Sequence, residues 1–203
     1  MPARRLLPCV LGAALLTACG DTTDTTDTTE PLIDAPSTTL TTPPTQALEL
    51  GEFDPEGDFQ VFDPCTEIPA EVLEAAGLGE SVGEPSYDRN LSARCSFFPL
   101  DATVSGYFSL TGDRVPKTRI EERGLLLSHE AGTASPGTYL HHMGAEFPDE
   151  CSAAVHTNRG RFVVQYTEVS TTQGRDTLCE FATEKLETIL NSMGDSNGDS
   201  HRS

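Results

Sequence analysis

Cys65, Cys95, Cys151 and Cys179 constrain this chain more than any other feature of its sequence. Two further cysteines, Cys9 and Cys19, stand inside or just after an apolar run at residues 6–16 that follows Arg4 and Arg5. That run falls well short of the ~20 apolar residues needed to cross a bilayer. With its positive flank it reads as a secretory signal. In an exported chain an even number of remaining cysteines implies disulfides. Four cysteines allow three pairings. The preferred one is Cys65–Cys95 with Cys151–Cys179, in which each bridge closes a local loop of about thirty residues and contributes about 3–4 kcal/mol on loop-entropy grounds. No C-x-x-C pair and no zinc-finger spacing of Cys or His occurs, so neither a metal nor a cofactor is expected.

The residues after the apolar run sharpen the expectation. Leu16-Thr17-Ala18-Cys19 resembles a bacterial lipobox. The resemblance implies that Cys19 receives a diacylglyceryl thioether and becomes the mature N-terminus after cleavage. Two acyl chains give stable anchoring where one would be marginal. The plainer alternative is an ordinary secretory signal with an incidental cysteine. The expected organisation is a lipoprotein signal peptide at 1–18, a tether at 19–58, a folded extracytoplasmic domain at 59–193 and a polar tail at 194–203. The expected location is the cell membrane, held by lipid on the extracytoplasmic face.

The tether reading rests on composition. Residues 21–29 are three copies of Asp-Thr-Thr, and Thr, Pro and Ser continue to Thr45. Residues 20–63 hold eleven acidic side chains, and no Lys or Arg occurs between Arg5 and Arg89. Such a segment has little apolar surface to bury and repels itself, so a disordered, extended spacer is expected. Thr- and Pro-rich stalks of this kind are often O-glycosylated. The whole chain has 203 residues, 13 basic and 32 acidic, for a formal net charge of −19. A chain this acidic repels phosphate backbones, which argues against nucleic acid as a partner.

The domain reads as an α+β arrangement. Residues 69–76 form a short helix with Pro69 near its first turn and Gly77 as its stop. Residues 93–98 and 104–111 read as strands, 115–123 as a helix, 124–129 as a strand and 132–137 as a loop. A hairpin follows, in which 152–157 and 161–169 flank Asn158-Arg159-Gly160. Phe162, Val164 and Tyr166 share one face of its second strand, with Val163 and Gln165 on the other. The strongest helix covers about 174–192. Its stripe of Leu178, Phe181, Ala182, Leu186, Ile189, Leu190 and Met193 faces a core, Cys179 lies at the stripe's margin, and Gly194 ends the helix. The predicted fold is an antiparallel sheet with the short N-terminal helix and the long C-terminal helix packed on one face and two disulfides.

Phe62-Asp63-Pro64-Cys65, the short helix ending Ala75-Ala76-Gly77-Leu78, Arg94-Cys95-Ser96-Phe97, Cys151-Ser152-Ala153-Ala154-Val155 and a cysteine in the last helix occur here in that order. With the lipobox and the Thr/Pro tether, this order resembles a large family of actinobacterial lipoproteins of unknown function. Phe97 departs from it, standing where the family commonly has Trp. The resemblance implies an envelope-facing domain with two disulfides. It supplies no catalytic residue that could be transferred.

Chemistry-bearing residues are few. His141 and His142 are adjacent, and adjacent strand residues point to opposite faces, so they do not share a metal. His129 and His156 could join them only through folding. No G-x-S-x-G elbow occurs; 132–137 has the wrong spacing. Glu121-Glu122 and Asp149-Glu150 are adjacent carboxylates, not a pair facing across a cleft. Asp195-Ser196-Asn197-Gly198-Asp199 begins like a calcium loop, but Ser200 replaces the required Gly. Arg114, Lys117, Arg119 and Arg123 form the densest basic cluster and are the candidate anion-binding patch, with Arg159 and Arg161 as a lesser one. The reading is a non-enzymatic, lipid-anchored module that binds a small ligand or an envelope protein. One alternative is a carrier of apolar molecules with a pocket between helix and sheet. The other is a hydrolase with a site gathered from dispersed residues.

Overall fold

Two capping side chains decide where the folded chain begins. Asp63 accepts from the Cys65 backbone N–H at 2.9 Å, and Glu67 reaches back to accept from the Asp63 N–H at 2.9 Å. Pro64 sits in the first turn, where it has no bond to lose. The result is α1, Pro64–Glu67, which explains the Phe-Asp-Pro-Cys motif. Asp63 caps, Pro64 starts the helix, Phe62 is buried in the core, and Cys65 bridges to Cys95.

The computed structural model describes residues 48–131, 134–169 and 173–198, with side chains to residue 194. The leader, Cys19, the tether as far as 47 and the end of the tail lie outside the described residues. Twelve elements follow in order: α1, α2 (Ala70–Ala75), β1 (Leu78–Ser81), β2 (Ser86–Asp88), β3 (Ser92–Pro99), β4 (Gly106–Asp113), α3 (Lys117–Glu122), β5 (Leu126–Ser128), β6 (Tyr139–His141), β7 (Glu150–Thr157), β8 (Gly160–Glu168) and α4 (Arg175–Gly198). The strands form one antiparallel sheet in the order β1-β3-β4-β8-β7-β6-β5, and β2 pairs with the other end of β3 from β1. The outer strands β1, β2 and β5 are only three or four residues long, and β1 and β5 are irregular in register. Short, bulged edges resist pairing with other chains.

The fold class agrees with the expectation. The alternation of β8 puts Phe162, Val164 and Tyr166 on one face with Phe108 and Leu110 of β4 and Ala153 and Val155 of β7. Leu178, Ala182, Leu186 and Ile189 of α4 are fully buried in the same cluster as these strands, and Ile68, Val72 and Ala76 around α2 join them. Both disulfides form as preferred. Cys65–Cys95 ties α1 to β3, and Cys151–Cys179 ties β7 to α4.

Several boundaries differ for physical reasons. Residues 48–58, assigned from composition to the tether, lie against the domain. The Gly51 N–H donates to the His156 carbonyl at 3.1 Å and the Asn158 N–H to the Glu49 carbonyl at 2.8 Å. They occupy the edge of β7 beyond residue 154, where β6 pairing stops. Only Asn158 and Arg159 lie outside the hairpin ladder, because Gly160 already pairs with Thr157. Gly160 has φ of 97°, and a Cβ there would strike the Asp113 carbonyl. The backbone of α4 runs past Gly194 to Gly198, since a glycine weakens a helix by about 1 kcal/mol without breaking it. Strands β1, β2 and β6 went unread because three or four residues carry too little alternation to recognise.

Gly112 lies on β4 directly beneath the incoming chain, where an added Cβ would collide with the Phe62 carbonyl oxygen. Gly112→Ala should destabilise the domain by about 1–3 kcal/mol through displacement of residues 62–64. Urea unfolding with intact disulfides measures it; an unchanged midpoint would contradict this packing.

Candidate functional site

The face of the sheet away from α4 is built from the other half of the alternation. Cross-strand register lines up Ser96, Ser109, Gln165, Ser152 and His141 in one row, and Ser92, Asp113, Arg161 and His156 in another. These side chains are polar, yet Ser109, Ser152, Gln165, Asp113, Arg161 and His141 are all buried. Burial of this kind demands partners, and each of the charged or amide groups has them.

Arg161 donates from Nε to Asp113 Oδ1 at 2.9 Å and from Nη2 to Asp113 Oδ2 at 2.6 Å. Its Nη1 faces His141 Nε2 at 3.3 Å. With Nε2 accepting, the His141 proton belongs on Nδ1, which lies 3.5 Å from the His142 carbonyl. Burial first, and the Arg161 guanidinium second, push the His141 pKa down to about 3. Burial opposes the charge on Arg161, but the Asp113 carboxylate outweighs it and raises that pKa. The Tyr139 hydroxyl is buried beside Arg161, and burial pushes its pKa up to about 12. Gln165, in the first row, joins β7 to β3: its Nε2 donates to Glu150 Oε2 at 3.2 Å, and its Oε1 accepts from Arg94 Nη2 at 3.1 Å.

Above this floor lies a cavity of about 530 Å³, lined by Arg94, Thr111, His141, Ser152 and Gln165 and flanked by Leu91. A second cavity of about 330 Å³ shares Arg94, Met143 and Gln165 with it and runs toward Tyr107 and Phe147. Leu91, Met143 and Phe147 are about half exposed. The open face is therefore a groove with a rigid polar floor and apolar flanks.

The predicted basic patch does not assemble as an anion site. Arg114 is spent on the backbone of the incoming chain. It donates to the carbonyls of Pro55, Gly57, Phe59 and Asn90 at 2.5–3.1 Å and stacks 3.9 Å from the Phe59 ring centroid. Lys117 donates to the His129 carbonyl at 3.0 Å and covers the Tyr139 ring. Arg119 pairs with Glu122 on the surface of α3, and Arg123 is exposed at its end. Arg159 is buried in a two-pronged pair with Glu67 at 2.6 and 2.7 Å.

Nor do the histidines converge. His129 pairs with Glu121 at 3.4 Å on an exposed surface. His156 Nδ1 meets Glu52 at 2.9 Å while its Nε2 accepts from the Lys117 N–H at 3.1 Å. Of the described histidines, His141 lines the groove, and its lone pair is already taken by Arg161. Among the described residues no cluster of His, Cys, Asp and Glu could hold a metal. A third cavity, about 580 Å³, lies between α4 and strands β5 and β6. Leu127 and Leu140 form one wall, and Glu180, Glu184 and Glu187 the other.

The comparisons with known proteins bear on the whole of this domain. The family described as "Protein of unknown function (DUF3558)" matches residues 14–192. The chain belongs to this family. The match covers every element from α1 to β8 and α4 as far as residue 192, so the groove lies on the DUF3558 part of the chain. No curated protein and no solved structure matches it. The groove residues Arg94, Asp113, Arg161 and Gln165 escaped the sequence reading as a set. Their signal, polar residues alternating with the core residues of β3, β4 and β8, is present, but register alone brings them together.

Two tests follow. Arg161→Met leaves Asp113 buried and unpaired and should cost about 3–5 kcal/mol, while Arg161→Met with Asp113→Leu should recover most of it; urea unfolding of the two variants compares them. The second test concerns protons. His141 titrates near 3 when folded against 6.5 when free, so the unfolded chain binds more protons between those values. Stability contributed by neutral His141 is present above pH 6.5 and is lost as pH falls toward 3. His141→Gln should flatten that decline by up to about 1.4 kcal/mol per pH unit, measured by urea midpoints from neutral to acid pH; equal slopes would refute the assignment.

Proposed function

We propose that this protein is an extracytoplasmic lipoprotein whose folded domain binds a ligand in the groove on the open face of its sheet. Cys19 carries the anchor, and residues 20–47 are the length of chain between anchor and domain. The lipobox-like Leu16-Thr17-Ala18-Cys19 and the resemblance to actinobacterial lipoproteins support the anchor. Two disulfides in the domain favour an oxidising compartment. Among the described residues no helix is long and apolar enough to cross a membrane, which is compatible with attachment by lipid.

The observation that carries the binding reading is the floor of the groove. Its polar groups are held in fixed positions by one another beneath cavities of about 530 and 330 Å³, an arrangement suited to orienting a ligand. Hydrolysis is the weaker reading. A general base must hold a free lone pair and a pKa near the working pH, and His141 has neither. The apolar-carrier reading is weaker too. The space between α4 and strands β7 and β8 is filled by Leu178, Ala182, Leu186 and Ile189, and the cleft beside β5 and β6 has an acidic wall that disfavours an acyl chain.

Detergent phase partition tests the anchor. The wild-type protein should enter the detergent phase and Cys19→Ala the aqueous phase. Retention of the variant in detergent would refute anchoring through Cys19.

A further inference from the structure

We infer that the groove takes a small ligand through an oxyanion, a carboxylate or phosphate group, seated on Arg94; this rests on the groove being the binding site. Arg94 lies where the two cavities meet and lines both. It is half-buried, and its Nη2 donates to Ser109 Oγ and to Gln165 Oε1, both at 3.1 Å. Those acceptors are themselves fixed, Ser109 by Ser96 Oγ at 2.8 Å and Gln165 by Glu150. The guanidinium is therefore oriented by neutral groups.

What Arg94 lacks is a counter-charge. Arg159 has Glu67, Arg161 has Asp113 and Arg119 has Glu122, whereas Arg94 makes no ion pair among the described residues. In a chain with 32 acidic and 13 basic residues, carboxylates line the same two cavities, yet among the described residues none of them forms an ion pair with Arg94. A guanidinium carries five N–H donors, and the two bonds at Nη2 leave those on Nε and Nη1 unused. Among the described residues neither atom makes a hydrogen bond, and the half-buried side chain lines both cavities. Free donors on one planar cation match the two oxygens of a carboxylate or phosphate.

The surroundings narrow the ligand. Leu91 lines the larger cavity, Tyr107 and Phe147 the smaller and Met143 both, so an apolar body fits beside the charged head. Asp88, Glu146, Asp149, Glu150 and Glu168 line the same cavities and oppose a second negative charge. The ligand class is a compact oxyanion with one charged group and an apolar portion, not a polyanion.

Heteronuclear NMR titration of the full chain with intact disulfides tests the inference. The probes are N-acetyl-leucine and isobutyl phosphate as anions, N-acetyl-leucinamide as the neutral isostere, isoamylamine as a cation and maltotriose as a neutral sugar. At least one anion should shift the Arg94 Nε–H and Gln165 side-chain signals saturably, and about tenfold or more tightly than the isostere. Which anion does so distinguishes a carboxylate from a phosphate source. Arg94→Gln should abolish that preference, Arg94→Lys should retain part of it, and Arg123→Gln should leave it intact. Should Arg94→Gln fail to fold, the comparison of anion with isostere on the wild type still decides. Equal binding of the neutral or cationic probes would overturn the oxyanion inference while leaving the groove as a site. Absence of saturable shifts in the groove with every probe would overturn the groove reading itself.

Discussion

Arg159 leaves the turn of the central hairpin and closes on Glu67 of α1 with two short hydrogen bonds, its side chain 3% exposed. The same guanidinium donates to the Gln60 and Val61 carbonyls. Glu67 meanwhile reaches back to the backbone of Asp63, the cap of α1. One buried ion pair thus fastens the start of the domain to its middle, across 92 residues of sequence. It places Phe62 edge-on against Phe162 at 5.3 Å between ring centroids, and it delivers Cys65 to Cys95. Buried pairs are not automatically stabilising, because desolvation offsets their attraction. Here the satisfied backbone carbonyls make the pair a device for position, fixing where the incoming chain crosses the sheet.

The hairpin that carries Arg159 also divides the molecule into a dry face and a wet one. Two residues later, Arg161 points to the opposite side and pairs with Asp113 beneath the groove. On the dry face, aliphatic and aromatic side chains close around α4, with the Tyr166 hydroxyl buried among them. On the wet face, the same strands present serine, glutamine, arginine and histidine at the alternate positions. The two disulfides lock the helices to the dry face only. Nothing comparable among the described elements covers the wet face as a layer, so its floor is rigid but approachable.

That division gives the functional reading its shape. Cations elsewhere in the domain are consumed by structure: Arg114 gathers the carbonyls of residues 55–59, Lys117 caps Tyr139, and Arg159 and Arg161 are paired. A cation cluster in sequence is therefore no guide to a cation cluster in space. Over the groove, the cation with spare donors is Arg94, from a strand in which nothing but its position singles it out.

Much of the architecture was legible because it depends on neighbours in sequence. The period of α4 marks Leu178, Ala182, Leu186 and Ile189 as core, and all are buried. The alternation of β8 separates Phe162, Val164 and Tyr166 from Val163 and Gln165, as the sheet does. The cysteine spacing favours the two local bridges that form. The seating of residues 48–58 was not legible, since an acidic, proline-containing segment reads as solvated until the free edge of β7 is known. Strand β6 and the groove were hidden for a related reason. Arg94 and Gln165 are 71 residues apart, and only the order β3-β4-β8 with its register brings them within one hydrogen bond. Periodicity and spacing are local properties that a chain carries in its residues. Which distant side chains share a face, and which charge is left unpaired there, are settled by strand order and register, and those exist only once the sheet has closed.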